Sequence, residues 1–149
     1  MSNKYKSADL LLKLYEMRRE SVMREARNWM MGFFPESAND VMQVMLDAQQ
    51  GAYFRMVVTY WDMACSFVNH GAIDEAMFSD VSGERVVVFA KVEPFLEELR
   101  GMMNSPKYLH NLEKNVMKID NAKEVLAGRR EMMKRMMQAR TEAAKAAEA

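Results

Sequence analysis

The chain has 149 residues, 50% hydrophobic and 28% charged, a balance that excludes a disordered chain and leaves enough length for one buried core. Twenty-one basic residues match twenty-one acidic ones, which excludes a general positive field, so nucleic-acid binding is not expected. The single cysteine, Cys65, excludes an intramolecular disulfide and a cysteine-rich zinc site, and it suits a reducing cytoplasm.

Seventeen methionines, against three prolines and six glycines, point to helices. Met is a good helix former that fills irregular gaps, and it is also used on surfaces that take several partners. Residues 1–20 hold one apolar run, Ala8 with Leu10, Leu11 and Leu12, broken by Asp9 and Lys13. That run is too short for a signal peptide or a membrane span, so neither is expected.

Ser7 is predicted to cap a first helix over 7–31, whose face of Leu11, Tyr15, Val22, Ala26, Trp29 and Phe33 should enter the core. Gly32 and Pro35 end it. Ser37, with Asp40 three residues on, has the form of a capping box for a second helix carrying Val41, Val44 and Met45. Gly51 either breaks that helix or is tolerated within a longer one. Residues 52–70 are apolar on nearly all sides, the mark of a central helix buried among several neighbours. Asn69-His70-Gly71 then reads as a helix end with a left-handed glycine, and Asp74 as the cap of a short helix through Phe78.

Residues 80–83 read as a loop. The valines of 85–91 would allow a strand, but Val88, Val92, Phe95, Leu99 and Met102 continue a helical stripe, with a kink expected at Pro94. Ser105-Pro106 looks like a cap with proline at the first helical position of a helix bearing Leu109, Leu112, Val116 and Ile119. A last helix over 121–144 carries Ala122, Val125, Leu126 and four methionines on one stripe, with 141–149 expected to fray as a C-terminal tail. No repeat or linker divides the chain. The expectation is therefore one all-α domain over 1–149, an irregular helical bundle of about six helices.

Trp61, the run Val68-Asn69-His70-Gly71-Ala72-Ile73-Asp74, and Phe89 with Pro94-Phe95 give the stretch 60–95 a resemblance. It resembles an uncharacterised family of small bacterial helical domains, a domain of unknown function. The resemblance implies a helical fold and a bacterial origin, and it supplies no activity. Some members carry an N-terminal membrane anchor, which this chain departs from.

On the central helix Arg55, Thr59, Asp62, Ser66 and Asn69 recur every three or four residues and form one polar line. The line is either a solvated strip or hydrogen-bonded network that fixes packing, or the wall of a ligand pocket between helices. Buried polar groups are usually there to be hydrogen-bonded, which favours the network. In the pocket reading Arg55 holds an acidic group, Asp62 a donor, and Thr59, Asn69 and His70 complete the ligand-binding set. His70, at a helix end, is better explained as a cap than as an acid or base. His110 reads as surface.

Asp74, Glu75, Asp80 and Glu84 lack the spacing of a calcium loop, and phosphate-loop, nucleophile-elbow and zinc-protease motifs are absent, so no metal, cofactor or catalytic residue is assigned. The last helix is the other candidate. Lys123, Arg129, Arg130, Lys134, Arg135 and Arg140 outnumber Glu124 and Glu131 on it. It is expected to dock on its own core, or to bind a second copy or a partner helix through Arg129, Met132, Met133, Met136 and Met137. Association with a membrane or RNA fits less well, because Arg129 and Arg140 interrupt its apolar stripe. The expected function is a non-catalytic interaction or regulatory module of a bacterial cytoplasm, with a homodimer among its assemblies. The alternative is a small-ligand binder or enzyme that uses the polar line.

Overall fold

The computed structural model describes residues 3–149; Met1 and Ser2, at the head of the expected domain, lie outside the described residues. Every regular element among the described residues is helical, so the all-α class holds. The helices are more numerous than the six expected, because a side-chain cap at Glu20 and the proline at Pro94 each divide a helix expected to be continuous.

The first division replaces the single helix expected over 7–31 by α1 (Lys4–Arg19) and α2 (Ser21–Met31). Between them Glu20 leaves the helical region, at φ −58° and ψ 141°. Its carboxylate accepts from the amides of Val22 (3.0 Å) and Met23 (2.9 Å), so it caps α2, and those donors hold its pKa below the usual carboxylate range. Ser7 does not cap α1; Asn3 does, accepting from the amides of Tyr5 and Lys6. Ser7 is instead fully buried inside the helix, where its hydroxyl accepts from the Asp74 amide at 2.9 Å. The break also turns the buried face. Leu14, Met23, Ala26 and Met30 point inward, while Tyr15 and Val22, expected there, stand about half exposed.

α3 (Ala38–Leu46) starts as the sequence predicts, with Ser37 accepting from the Asp40 amide at 3.0 Å. α4 (Ala48–Asn69) follows at once, capped by Asp47. Gly51 is neither a breaker nor neutral: a Cβ there would lie 2.8 Å from the Met45 carbonyl, so glycine lets the first turn of α4 pack against the end of α3. α4 is the central helix, with Phe54, Val57, Val58, Trp61, Ala64 and Cys65 fully buried, and α2, α3 and α8 pack around it.

Gly71 takes the left-handed conformation at φ 82°, and Asp74 caps α5 (Glu75–Val81) by accepting from the Met77 amide. Because α5 reaches Val81, the loop expected over 80–83 shrinks to Ser82 and Gly83. The valine run is helical as predicted, in α6 (Glu84–Val92), and Pro94 turns the chain through a 3-10 segment, Glu93–Phe95, into α7 (Leu96–Met102).

Ser105-Pro106 does not open a helix. α8 (His110–Val116) begins only after Leu109, which is left-handed at φ 56°. The reason is nonlocal: an earlier start would pair the Tyr108 carbonyl with the Leu112 amide. Arg100 donates twice to that carbonyl (3.0 and 2.9 Å), and Leu112 donates to Asp62. α9 (Ala122–Glu148) packs mainly on α6, and its helical backbone continues through the segment 141–148 with every side chain there exposed.

Candidate functional site

The polar line of α4 divides between solvent and a neighbouring helix. Arg55 and Thr59 are exposed, and the Thr59 hydroxyl donates to the Arg55 carbonyl. Asp62 accepts from the Leu112 amide at 2.9 Å, in the first turn of α8, which has no side-chain cap of its own because Leu109 precedes it. Asn69 donates to the Asn111 carbonyl at 3.0 Å, while its Oδ1 is buried without a partner among the described residues. The structure therefore brings Asp62 and Asn69 together on α8. Arg55 is left apart from them. His70 folds back on its own helix, its Nδ1 2.8 Å from the Ser66 carbonyl, so that ring nitrogen carries the proton and donates.

Beside Thr59 runs an open groove of about 630 Å³, walled by Met17, Met23, Met56 and Met63 with Glu20 at one end. The sequence reading missed it, because the groove follows from the break at Glu20. Its polar groups are already engaged: Glu20 caps α2, and the Tyr60 hydroxyl donates to the Leu14 carbonyl at 2.6 Å. Burial pushes the Tyr60 pKa up to about 12. The lining suits apolar contacts rather than proton transfer.

The methionine stripe of α9 splits into two faces. Met133 and Met137 turn partly inward, with Met137 beside Gly32, whereas Met132 and Met136 are 55% and 46% exposed. Arg129 is exposed and borders both Met132 and the crevice towards α6. Arg130 is docked, donating to the Ala90 carbonyl at 2.8 Å with Glu93 3.6 Å away. Next to it lies a small crevice whose floor is the buried amine of Lys91.

Cys65 is fully buried, and burial raises its thiol pKa to about 12, which leaves no thiolate for nucleophilic attack at neutral pH. Among the described residues no group of three or more His, Cys, Asp or Glu side chains is placed to hold a metal. Nor, among them, is any helix long and apolar enough to cross a membrane. Arg85, which nothing in the sequence pattern singled out, is buried at the floor of a separate cleft between α5 and α8.

The family model of a domain of unknown function (DUF4760) matches residues 5–119. No curated protein and no solved structure matches the chain. The stretch 60–95 lies inside the matched span, and α9 begins after its end.

Proposed function

We propose that this chain, which belongs to the DUF4760 family, is a non-catalytic interaction module that takes an acidic amphipathic helix of a partner protein on the outer face of α9. One observation carries the reading: Met132 and Met136, a turn apart, stand about half exposed on a helix whose other methionines are partly covered. Arg129 and Arg140 extend the same face at helical spacing. A flexible thioether surface flanked by guanidinium groups favours an apolar helix edged with carboxylates. A bacterial cytoplasm belongs to the same proposal, supported by a lone buried thiol.

The test uses synthetic acidic and basic amphipathic peptides of equal length, titrated against three proteins. These are the full chain, a chain ending at Gly128, and the M132K/M136K variant. The acidic peptide should bind the full chain at least tenfold more tightly than the other two, and the basic peptide should not bind. Light scattering on the same samples gives the competing outcomes. A full-length dimer that dissociates on truncation would make a second copy the occupant and overturn the acidic-partner reading. Equal monomers with no peptide binding would remove the basis for any interaction role of α9.

A second reading, small-ligand binding beside the polar line, draws support from the methionine-lined groove against Thr59. Its occupant would be apolar, with the Thr59 hydroxyl, whose proton goes to the Arg55 carbonyl, able only to accept from it. Asp62 and Asn69 support it less, being engaged with α8.

A further inference from the structure

Arg85 is only 4% exposed, and among the described residues no carboxylate is in direct contact with it, Glu75 acting on it only from across the neighbouring cleft. Its Nε donates to Asn115 Oδ1 at 2.7 Å, Nη1 to the Ser82 carbonyl at 2.7 Å, and Nη2 to the Ser79 hydroxyl at 3.4 Å. All three acceptors are neutral, and the Phe78 ring lies 5.1 Å from the guanidinium carbon. Arg85 forms no ion pair among the described residues, whereas Arg27, Arg100 and Arg130 each face a carboxylate. A buried, unpaired cation is costly, so a site that keeps one invites an anionic partner. A guanidinium has five N–H groups, and three are engaged, which leaves two to donate.

The Arg85 side chain is not sealed in. Arg85 helps to line a cleft of about 210 Å³ with Glu75, Ser79, Asn115, Lys118 and Ile119. That is several times the ~30 Å³ share of one water, and it matches a small organic acid or a phosphate group. Across the cleft Lys118 pairs with Glu75 at 3.3 Å, both side chains about half exposed. The cleft therefore holds a second cation, the Ser79 hydroxyl and one carboxylate that the Lys118 ammonium already offsets.

We infer that this cleft is a binding site for a small oxyanion, a carboxylate or phosphate group held by Arg85 at its floor and steadied by Lys118 at its rim. The planar fork of a guanidinium suits two-point contact with either group, and Lys118 can turn from Glu75 towards the bound charge. Glu75 repels such a ligand and sets the affinity. The inference is independent of the role proposed for α9.

Titration with inorganic phosphate and with succinate, at constant ionic strength set by chloride, tests the site and separates the two sources. The full chain should show saturable one-to-one binding by calorimetry and a higher melting temperature with at least one of them. Glu75→Gln should tighten binding severalfold, Lys118→Gln should weaken it severalfold, and Arg85→Gln should weaken it at least tenfold. The first two residues are exposed, so their variants remain informative if Arg85→Gln fails to fold. Absence of saturable binding by the full chain would overturn the inference. So would affinities unchanged in both rim variants, or retained in a folded Arg85→Gln.

Discussion

Arg130 donates to the carbonyl of Ala90 at 2.8 Å, and Ala90 is the residue whose usual helical partner is missing because Pro94 has no N–H. The kink of α6 and the docking of α9 are thus one feature. A proline creates an open acceptor, and a guanidinium from forty residues along the chain fills it. Arg130→Ala should cost about 1–3 kcal/mol in urea unfolding, since it leaves a buried carbonyl without its charged donor. In a Pro94→Ala background the amide at 94 can return to Ala90, so the same change should cost measurably less. An equal cost in both backgrounds would show that Arg130 stabilises the fold by some other contact.

That pair also marks the boundary of what the sequence makes legible. Pro94, Gly71, Asp74 and the Ser37 cap act on backbone groups within a few residues, so their effects can be read in order along the chain. The carbonyl that Pro94 freed could be named from the sequence; the side chain that fills it could not, because only the packed bundle brings α9 to α6. The late start of α8 has the same origin, since Arg100 and Asp62 take the two groups that an earlier turn would have joined. The break at Glu20 is different. It is local, but it was hidden by a residue type seldom considered as a cap and by apolar spacing that runs on through it. For the polar line, helical spacing correctly put Asp62 and Asn69 on one side. What lies opposite that side, the first turn of α8 and not an open pocket, is a property of topology.

Asp62 stands in for the cap that Leu109 cannot provide. Asp62→Ala should lower stability by about 1 kcal/mol, the ordinary value of a lost N-cap, and Asp62→Asn should cost less because an amide oxygen can still accept. Hydrogen exchange at the Leu112 amide should accelerate in the alanine variant, with little change at the amides of α9. Protection of Leu112 equal to that of the parent chain would remove Asp62 from this role.

At Gly51 the first turn of α4 lies against the backbone at the end of α3. The glycine's absent side chain leaves room for the Met45 carbonyl, which an added Cβ would meet at 2.8 Å and cannot push aside without moving backbone. Gly51→Ala normally gains helix propensity, worth up to about 1 kcal/mol. Here overpacking should outweigh that gain and leave a net loss of about 1–2 kcal/mol in thermal or urea unfolding. A neutral or more stable variant would mean that the contact between the helices relaxes freely.

Lys91 provides a prediction whose sign can be worked out in advance. Its Nζ donates to the carbonyls of Phe33 (2.6 Å) and Met31 (3.3 Å) at the end of α2 and sits 3.9 Å from the centre of the Phe34 ring. Among the described residues no carboxylate forms an ion pair with it, and the crevice above holds further cations in Arg129, Arg130 and Lys134. Burial pushes its pKa down from 10.5 to about 8. Between those values the unfolded chain holds more protons than the folded one, so this group makes the protein more stable as pH rises. The penalty is fully present below pH 8 and gone above pH 10.5. Cys65, Tyr60 and Tyr108, raised by burial to about 12, act the other way, because they keep protons in the folded state that the unfolded chain loses. The comparison that isolates Lys91 is therefore parent against Lys91→Met at each pH, in which those three groups cancel. The variant loses the two carbonyl contacts at every pH, and beyond that constant loss the parent's advantage should grow by about 1–3 kcal/mol from pH 8 to pH 10.5. A pH-independent difference would show that the amine is not held in its neutral-favouring environment.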